Sequence, residues 1–267
     1  MITIKDQMNF TIRLGASPNR IVSLVPSQTQ LLHHLELEEE VVGITKFCVQ
    51  PDGWFRSKTR VGGTKSIDIE KVKALKPDLI IGNKEENSIE DIEALKGIAP
   101  VWMSDIYTLD DSLEMIRSIS AVTDKHEIGN NLIGRITNAF NDLEHYLVGL
   151  EMRGKTALYY IWKEPYMVSG KSTFVDDMLS KCGLKNATSI ERYPEIDAAD
   201  YQPDFVFLSS EPFPFKEEHI ADFQLEFPNS KIVLVDGEMF SWYGSKLEVA
   251  PSYFKKLIES IGFNHEH

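Results

Sequence analysis

The chain has 267 residues, 42% of them hydrophobic and 26% charged, and a formal net charge of -13. That balance is ordinary for a soluble globular protein, and an acidic chain with no lysine or arginine run makes nucleic acid and anionic membranes poor partners. The length is enough for two lobes with a core each, and no segment approaches the roughly 18 consecutive apolar residues of a membrane-crossing helix.

The opening segment, MITIKDQMNFTIRLG, lacks the cationic start and apolar core of a signal peptide, and no lipid-accepting cysteine follows it. Taken alone it predicts a chain that stays in the cytoplasm. Short apolar runs then predict strands near residues 21–25, 41–44, 79–82 and 101–103 in the first half, and 157–161, 205–208 and 232–235 in the second. Helical patterns fall between them, and one closes the chain near 250–261. This alternation predicts parallel βαβ units, and continuously apolar runs such as LIIG and FVFL suit strands covered on both faces.

The two halves repeat one another. KPDLIIGN at Lys76 and QPDFVFLSS at Gln202 each launch an apolar strand from a Pro-Asp pair, and each follows an acidic amphipathic stretch. Each half also opens alike, with RIVSLVPSQTQLL at Arg20 and KTALYYIWKEPYMVSGKSTFVDDML at Lys155. The expected architecture is α/β: two Rossmann-like βα lobes joined by one long helix, with a ligand cleft between the lobes. The expected divisions are an amino-terminal lobe over 1–124, a connecting helix over 125–150 and a carboxyl-terminal lobe over 151–267. In the connector, Ile128, Leu132, Ile136, Phe140, Leu143 and Leu147 recur in steps of four and three, the stripe of an amphipathic helix. Two helices broken at Gly134 is the alternative. A stiff helical connector predicts small lobe movements.

Several motifs carry no chemistry. SGKS at Ser169 suggests a phosphate loop, but Pro165 stands where that motif needs glycine; Ser172 or Thr173 as a helix cap explains it better. The seven histidines, His33, His34, His126, His145, His219, His265 and His267, form no ligand spacing, so no bare metal is expected. Cys48 and Cys182 are read as free. No nucleophile elbow or Cys/His pair appears, and no cofactor is expected.

Aromatic residues in predicted loops stand out. Phe47 and Trp54 follow the second strand; Trp162 and Tyr166 follow the first strand of the second half; Tyr193 precedes a proline; Phe240, Trp242 and Tyr243 lie in MFSWYGS after the last strand. In open α/β sheets ligands bind beyond the carboxyl ends of strands, where large rings grip a broad, partly apolar ligand.

Together these blocks resemble the helical-backbone class of periplasmic substrate-binding proteins, which serve ABC importers for cobalamin, haem and iron–siderophore complexes. RIVSLVPSQTQLL, VGGTKSIDIEKVKALKPDLII and PYMVSGKSTFVDDMLSKCGLKNA occur in the family's order and spacing, over about 20–261. The resemblance implies a monomeric, non-enzymatic receptor for a metal chelate, placed outside the cytoplasm and partnered by an importer permease. It implies ligand contacts at Ser27 in the opening loop, at Phe47 or Gln50, and at Arg192 and Tyr193. The tryptophan that cobalamin receptors carry in the first lobe falls on Thr64, and Trp242 is the expected substitute. Permease docking is implied at Glu70, with Glu195, Asp197 or Asp200 as the second acid. The alternatives are a cytosolic chelate sensor and a chelatase-type enzyme, for which His33 and His34 are the available cleft histidines.

Overall fold

A computed structural model describes residues 1–264, so His265 and His267 lie outside the described residues. The chain forms two compact units. The first comprises residues 1–106, 110–134 and 243–246. It opens on an antiparallel hairpin, β1 (Ile2–Lys5) and β2 (Thr11–Leu14), which lies outside the expected parallel units. Its signal is strict alternation: Ile12 and Leu14 are buried while Thr11 and Arg13 face solvent. Asp6 Oδ1 accepts from the Met8 and Phe10 amides and shapes the turn.

There follow β3 (Ile21–Ser23), α1 (Pro26–His34), β4 (Val41–Ile44), α2 (Asp52–Ser57), β5 (Thr59–Arg60), the two-residue ribbon β6 (Gly62–Gly63) and β7 (Ser66–Ile67), α3 (Ile69–Ala74), β8 (Leu79–Asn83), α4 (Ile89–Lys96), β9 (Val101–Ser104) and α5 (Leu109–Val122). The main sheet runs β5-β4-β3-β8-β9, parallel throughout. Every residue of β8 and β9 is buried, as expected of parallel strands covered on both faces. Asp68 caps α3 by accepting from the Lys71 amide, and Ser88 caps α4 through the Asp91 amide.

Helix α6 (His126–Leu147) has 22 residues, about 33 Å at 1.5 Å per residue. The assignment to units changes within it, after Gly134. It does not break there: Gly134 faces solvent and an added Cβ would meet nothing within 4 Å. Leu132, Ile136, Phe140 and Leu143 form its buried stripe.

The second unit comprises 107–109, 135–242 and the chain from 247 onward. Its elements are β10 (Thr156–Trp162), β11 (Met167–Val168), α7 (Phe174–Lys181), β12 (Lys185–Asn186), β13 (Phe205–Ser209), α8 (Glu217–Glu226), β14 (Lys231–Val235), α9 (Gly237–Ser241) and α10 (Ala250–Ser260). The sheet runs β11-β10-β13-β14, with β12 also on β10; only β11 is antiparallel. Thr173, not Ser172, caps α7, accepting from the Asp176 amide.

The repeated Pro-Asp pair does the same work in both units. Asp78 accepts from the Asn19 and Arg20 amides at 2.9 Å, just before β3. Asp204 accepts from the Thr156 amide at 2.8 Å, at the start of β10, and from Lys155 Nζ at 2.8 Å. In each sheet the carboxylate that opens one strand fixes the entry of the strand beside it. These charge-assisted bonds hold Asp204 below the usual carboxylate range despite some desolvation.

Candidate functional site

In the first unit the loop after β4 presents Phe47, 52% exposed, flanked by exposed Val49 and Gln50. The loop is held from below. Cys48 is wholly buried, its sulfur 3.1 Å from both the Thr29 and Thr45 hydroxyls. Burial pushes its thiol pKa up, so it anchors and does not react. Cys182 is likewise buried, and both cysteines are free. Lys46 Nζ sits 5.1 Å from the Phe47 ring, leaving a cation-capped aromatic face at a strand end. Thr64 is half-buried in the β6–β7 ribbon, its carbonyl accepting from Asn87 Nδ2. Ser27 is buried in the first turn of α1.

In the second unit Trp162 ends β10 and is 41% exposed; its ring meets Phe213 edge-on at 5.7 Å. Tyr193 is 38% exposed. The Arg192 guanidinium lies 5.3 Å from the Tyr107 ring and 5.5 Å from the Tyr193 ring, and donates to the Ser172 carbonyl. Its backbone is left-handed, φ 67°. The segment is pinned to the one around Gly170, whose amide donates to the Arg192 carbonyl. A Cβ at Gly170 would stand 2.2 Å from the Ile190 carbonyl, so only glycine allows that approach. SGKS therefore serves backbone pairing, and the helix cap is Thr173, the residue after it.

The expected ligand residues of MFSWYGS turn inward. Phe240 has no exposed surface and packs among Tyr159, Phe207 and Phe254. Trp242 is buried and its Nε1 donates to Glu211 Oε1 at 2.9 Å, beside the Ser241 hydroxyl at 2.6 Å. Burial raises the pKa of Glu211. Tyr243 is buried and donates to Glu86 Oε1 at 3.0 Å. The polar tips of Trp242 and Tyr243 find half-buried carboxylates rather than an open ligand face. Tyr166 is half-buried against Tyr160 and Phe223. His33 packs edge-on against Trp54, whose Nε1 donates to Glu38.

Glu70 is exposed in the first turn of α3, two residues after the capping Asp68. In the second unit Asp197 caps the 3₁₀ turn Ala198–Asp200 in the same way, and the position two residues on is Ala199. Among the described residues no three His, Cys, Asp or Glu side chains could hold a metal ion, and no helix is long and apolar enough to cross a membrane.

The family model for periplasmic binding proteins matches residues 21–226. The chain is 26% identical over 194 residues to an uncharacterized ABC transporter substrate-binding lipoprotein, YvrC, of Bacillus subtilis, covering 70% of this chain and 61% of that protein. It is 23% identical over 244 residues to the vitamin B12-binding protein of Pectobacterium carotovorum, covering 88% and 86%. Among solved structures, the periplasmic vitamin B12 binding protein BtuF of Vibrio cholerae superposes with a TM-score of 0.77 at 21% identity, covering 92% of this chain and 98% of that one.

Proposed function

Because the chain belongs to the periplasmic binding protein family, we propose that it is the solute receptor of an ABC importer and that its solute is a metal chelate: a corrinoid, haem or an iron–siderophore complex. The observation that carries this reading is the pair of strand-end loops that leave aromatic faces open in a family of binding proteins. Phe47 and Gln50 in the first unit, and Trp162, Arg192 and Tyr193 in the second, are the ligand contacts. Likeness to vitamin B12-binding proteins supports a corrinoid among the three. Flat rings suit the apolar faces of such chelates, and the Arg192 guanidinium suits their carboxylate or phosphate edges.

The protein binds without transforming its solute and acts as a monomer. Of the two histidines available to a chelatase, His33 and His34, His33 is engaged with Trp54. Glu70 is the acid that docks on the permease.

The test is the absorbance spectrum and native mass of the protein purified from its own source, followed by titration with cyanocobalamin, haemin and a ferric siderophore. A coloured, stoichiometric complex with one of them is the expected result. A colourless protein that binds none of the three rejects the reading.

A further inference from the structure

The first unit holds a groove of about 560 Å³ between the opening hairpin and the main sheet, lined by residues 10–13 on one side and 96–101 on the other. Phe10 and the first three residues of β2 all line it, although side chains along a strand alternate between faces. Its wall is therefore backbone as well as side chain. No residue of β1 contributes, so the groove follows the edge of β2 that β1 leaves uncovered.

The ladder fixes which groups that edge carries. The Asp6 amide donates to the Phe10 carbonyl at 2.9 Å, and Ile4–Ile12 and Ile2–Leu14 continue the same register. Bonded and non-bonded pairs alternate in an antiparallel ladder. Ile12 and Leu14 thus bond to β1, while the N–H and C=O of Thr11 and Arg13 point outward, with no partner there among the described residues. The facing wall behaves alike. β9 is the last strand of the main sheet, and the Pro100 carbonyl accepts from Ile80 on the β8 side. The Met103 carbonyl turns the other way and accepts from the Gln7 amide in the hairpin turn. By the same alternation Val101 presents its backbone groups away from β8. One bond closes the groove at the turn, and beyond it both walls keep open strand edges.

Side chains define the guest. Ile12, Ala99 and Val101 are buried and give an apolar floor. Phe10 is 54% exposed, with Lys96 Nζ 4.9 Å from its ring. The solvent face of the hairpin pairs Lys5 with Thr11 and Thr3 with Arg13. Lys5 and Arg13 are exposed and form no ion pair among the described residues, whereas Lys96 meets Glu93 at 2.7 Å. The edge is cationic in a chain of net charge -13. Cations on an open edge discourage apolar and basic strands and favour acidic side chains opposite them.

We propose that this groove takes an extended acidic peptide of a partner protein by strand addition. Carboxylates at alternate positions lie beside Thr11 and Arg13, within reach of Arg13 and Lys5, and the apolar residue between them faces Ile12. Four-residue β2 spans about 13 Å, so about five peptide residues fill the edge. The site uses none of the chelate contacts and is independent of that reading.

The experiment titrates the full-length protein, at low salt, into a fluorescein-labelled, end-capped peptide Glu-Val-Glu-Val-Glu, read by polarisation, with amide hydrogen exchange in parallel. The peptide is expected to bind saturably and to slow exchange at the Thr11 and Arg13 amides. Lys-Val-Lys-Val-Lys should not bind, nor should the acidic peptide once its glutamates are N-methylated, since those amides are the ones that face β2. Arg13→Glu should weaken binding by about fivefold or more with the melting temperature unchanged. Absence of binding, binding without protection of those two amides, or equal binding of the lysine or N-methylated peptide overturns the proposal. So does unchanged affinity in Arg13→Glu; if that variant fails to fold, the N-methylated peptide decides alone. Protection of both amides in the free protein that grows with its own concentration assigns the edge to a second copy and overturns the peptide reading too. Chelate titration of the same sample tests the receptor reading separately.

Discussion

Tyr243 and Glu86 are 157 residues apart in sequence, yet Tyr243 Oη donates to Glu86 Oε1 at 3.0 Å inside the first unit. The residues around Tyr243 leave the last strand of the second half and are counted with the first. Gly244, with φ +105°, follows it and donates its amide to the Ser112 hydroxyl. The Tyr243 hydroxyl and the Gly244 amide thus both tie this short segment to the first unit. Tyr243→Phe keeps the ring and removes only the donor. It should cost about 1–3 kcal/mol, read as a lower urea midpoint at unchanged slope. An unchanged midpoint would show that the bond carries no stability.

Alkaline unfolding should expose the buried tyrosines. Tyr159, Tyr160 and Tyr243 all have pKa values raised, in each case chiefly by burial, while an unfolded tyrosine titrates near 10. Above about pH 10 the folded state therefore holds more protons than the unfolded one, and stability falls as pH rises. Each such tyrosine adds up to about 1.4 kcal/mol per pH unit to that slope. The contribution is complete below pH 10. Urea titrations from pH 9 to 11 should show this decline, and Tyr159→Phe should make it shallower.

Much of the fold can be read in the sequence because buried parallel strands announce themselves. β4 coincides with the expected 41–44, and β8, β13 and β14 each extend the expected strand by one residue. The Pro-Asp repeat is visible as letters, but its cause lies in the fold, where Asp78 and Asp204 bond the entry of a neighbouring strand. The hairpin at residues 2–14 is hard to read because its two strands are four residues each and bury only Ile12 and Leu14, beside the longer apolar runs that follow. The candidate site was less legible. Nothing local distinguishes Trp162, which stays exposed, from Trp242, whose Nε1 meets a carboxylate 31 residues away.

That difference separates two classes of variant. Trp162→Ala and Tyr193→Ala remove exposed rings from strand-end loops and should each weaken chelate binding by at least about tenfold with little change in melting temperature. Trp242→Ala removes a buried ring and leaves Glu211 short of a donor. It should cost about 3–5 kcal/mol of stability. Affinity and unfolding measured on the same three proteins decide the matter. Full affinity in both Trp162→Ala and Tyr193→Ala would remove these loops from the site.

Charge at Glu70 should matter to the partner and not to the ligand. The side chain is exposed at the start of α3, so its reversal to lysine costs little stability beyond a few tenths of a kcal/mol from the helix dipole. Uptake or ATPase stimulation in membranes containing the permease should fall in Glu70→Lys, with chelate affinity unchanged.

Two glycines of α6 should respond to alanine with opposite signs. Gly134 lies on the solvent face with nothing within 4 Å of an added Cβ. Alanine there relieves the entropic cost of glycine in a helix interior and should stabilise by about 0.5–1 kcal/mol. Gly129 faces α5, and its added Cβ would lie 2.2 Å from Ser120 Oγ and 2.3 Å from Ser120 Cβ. The hydroxyl could rotate away, but the Cβ cannot move without shifting α5, so overpacking of about 1–3 kcal/mol should outweigh the propensity gain. Ser120→Gly in the same chain removes the obstructing atoms and should restore part of that loss. A melting temperature that rises for Gly129→Ala would mean that α5 and α6 do not approach this closely.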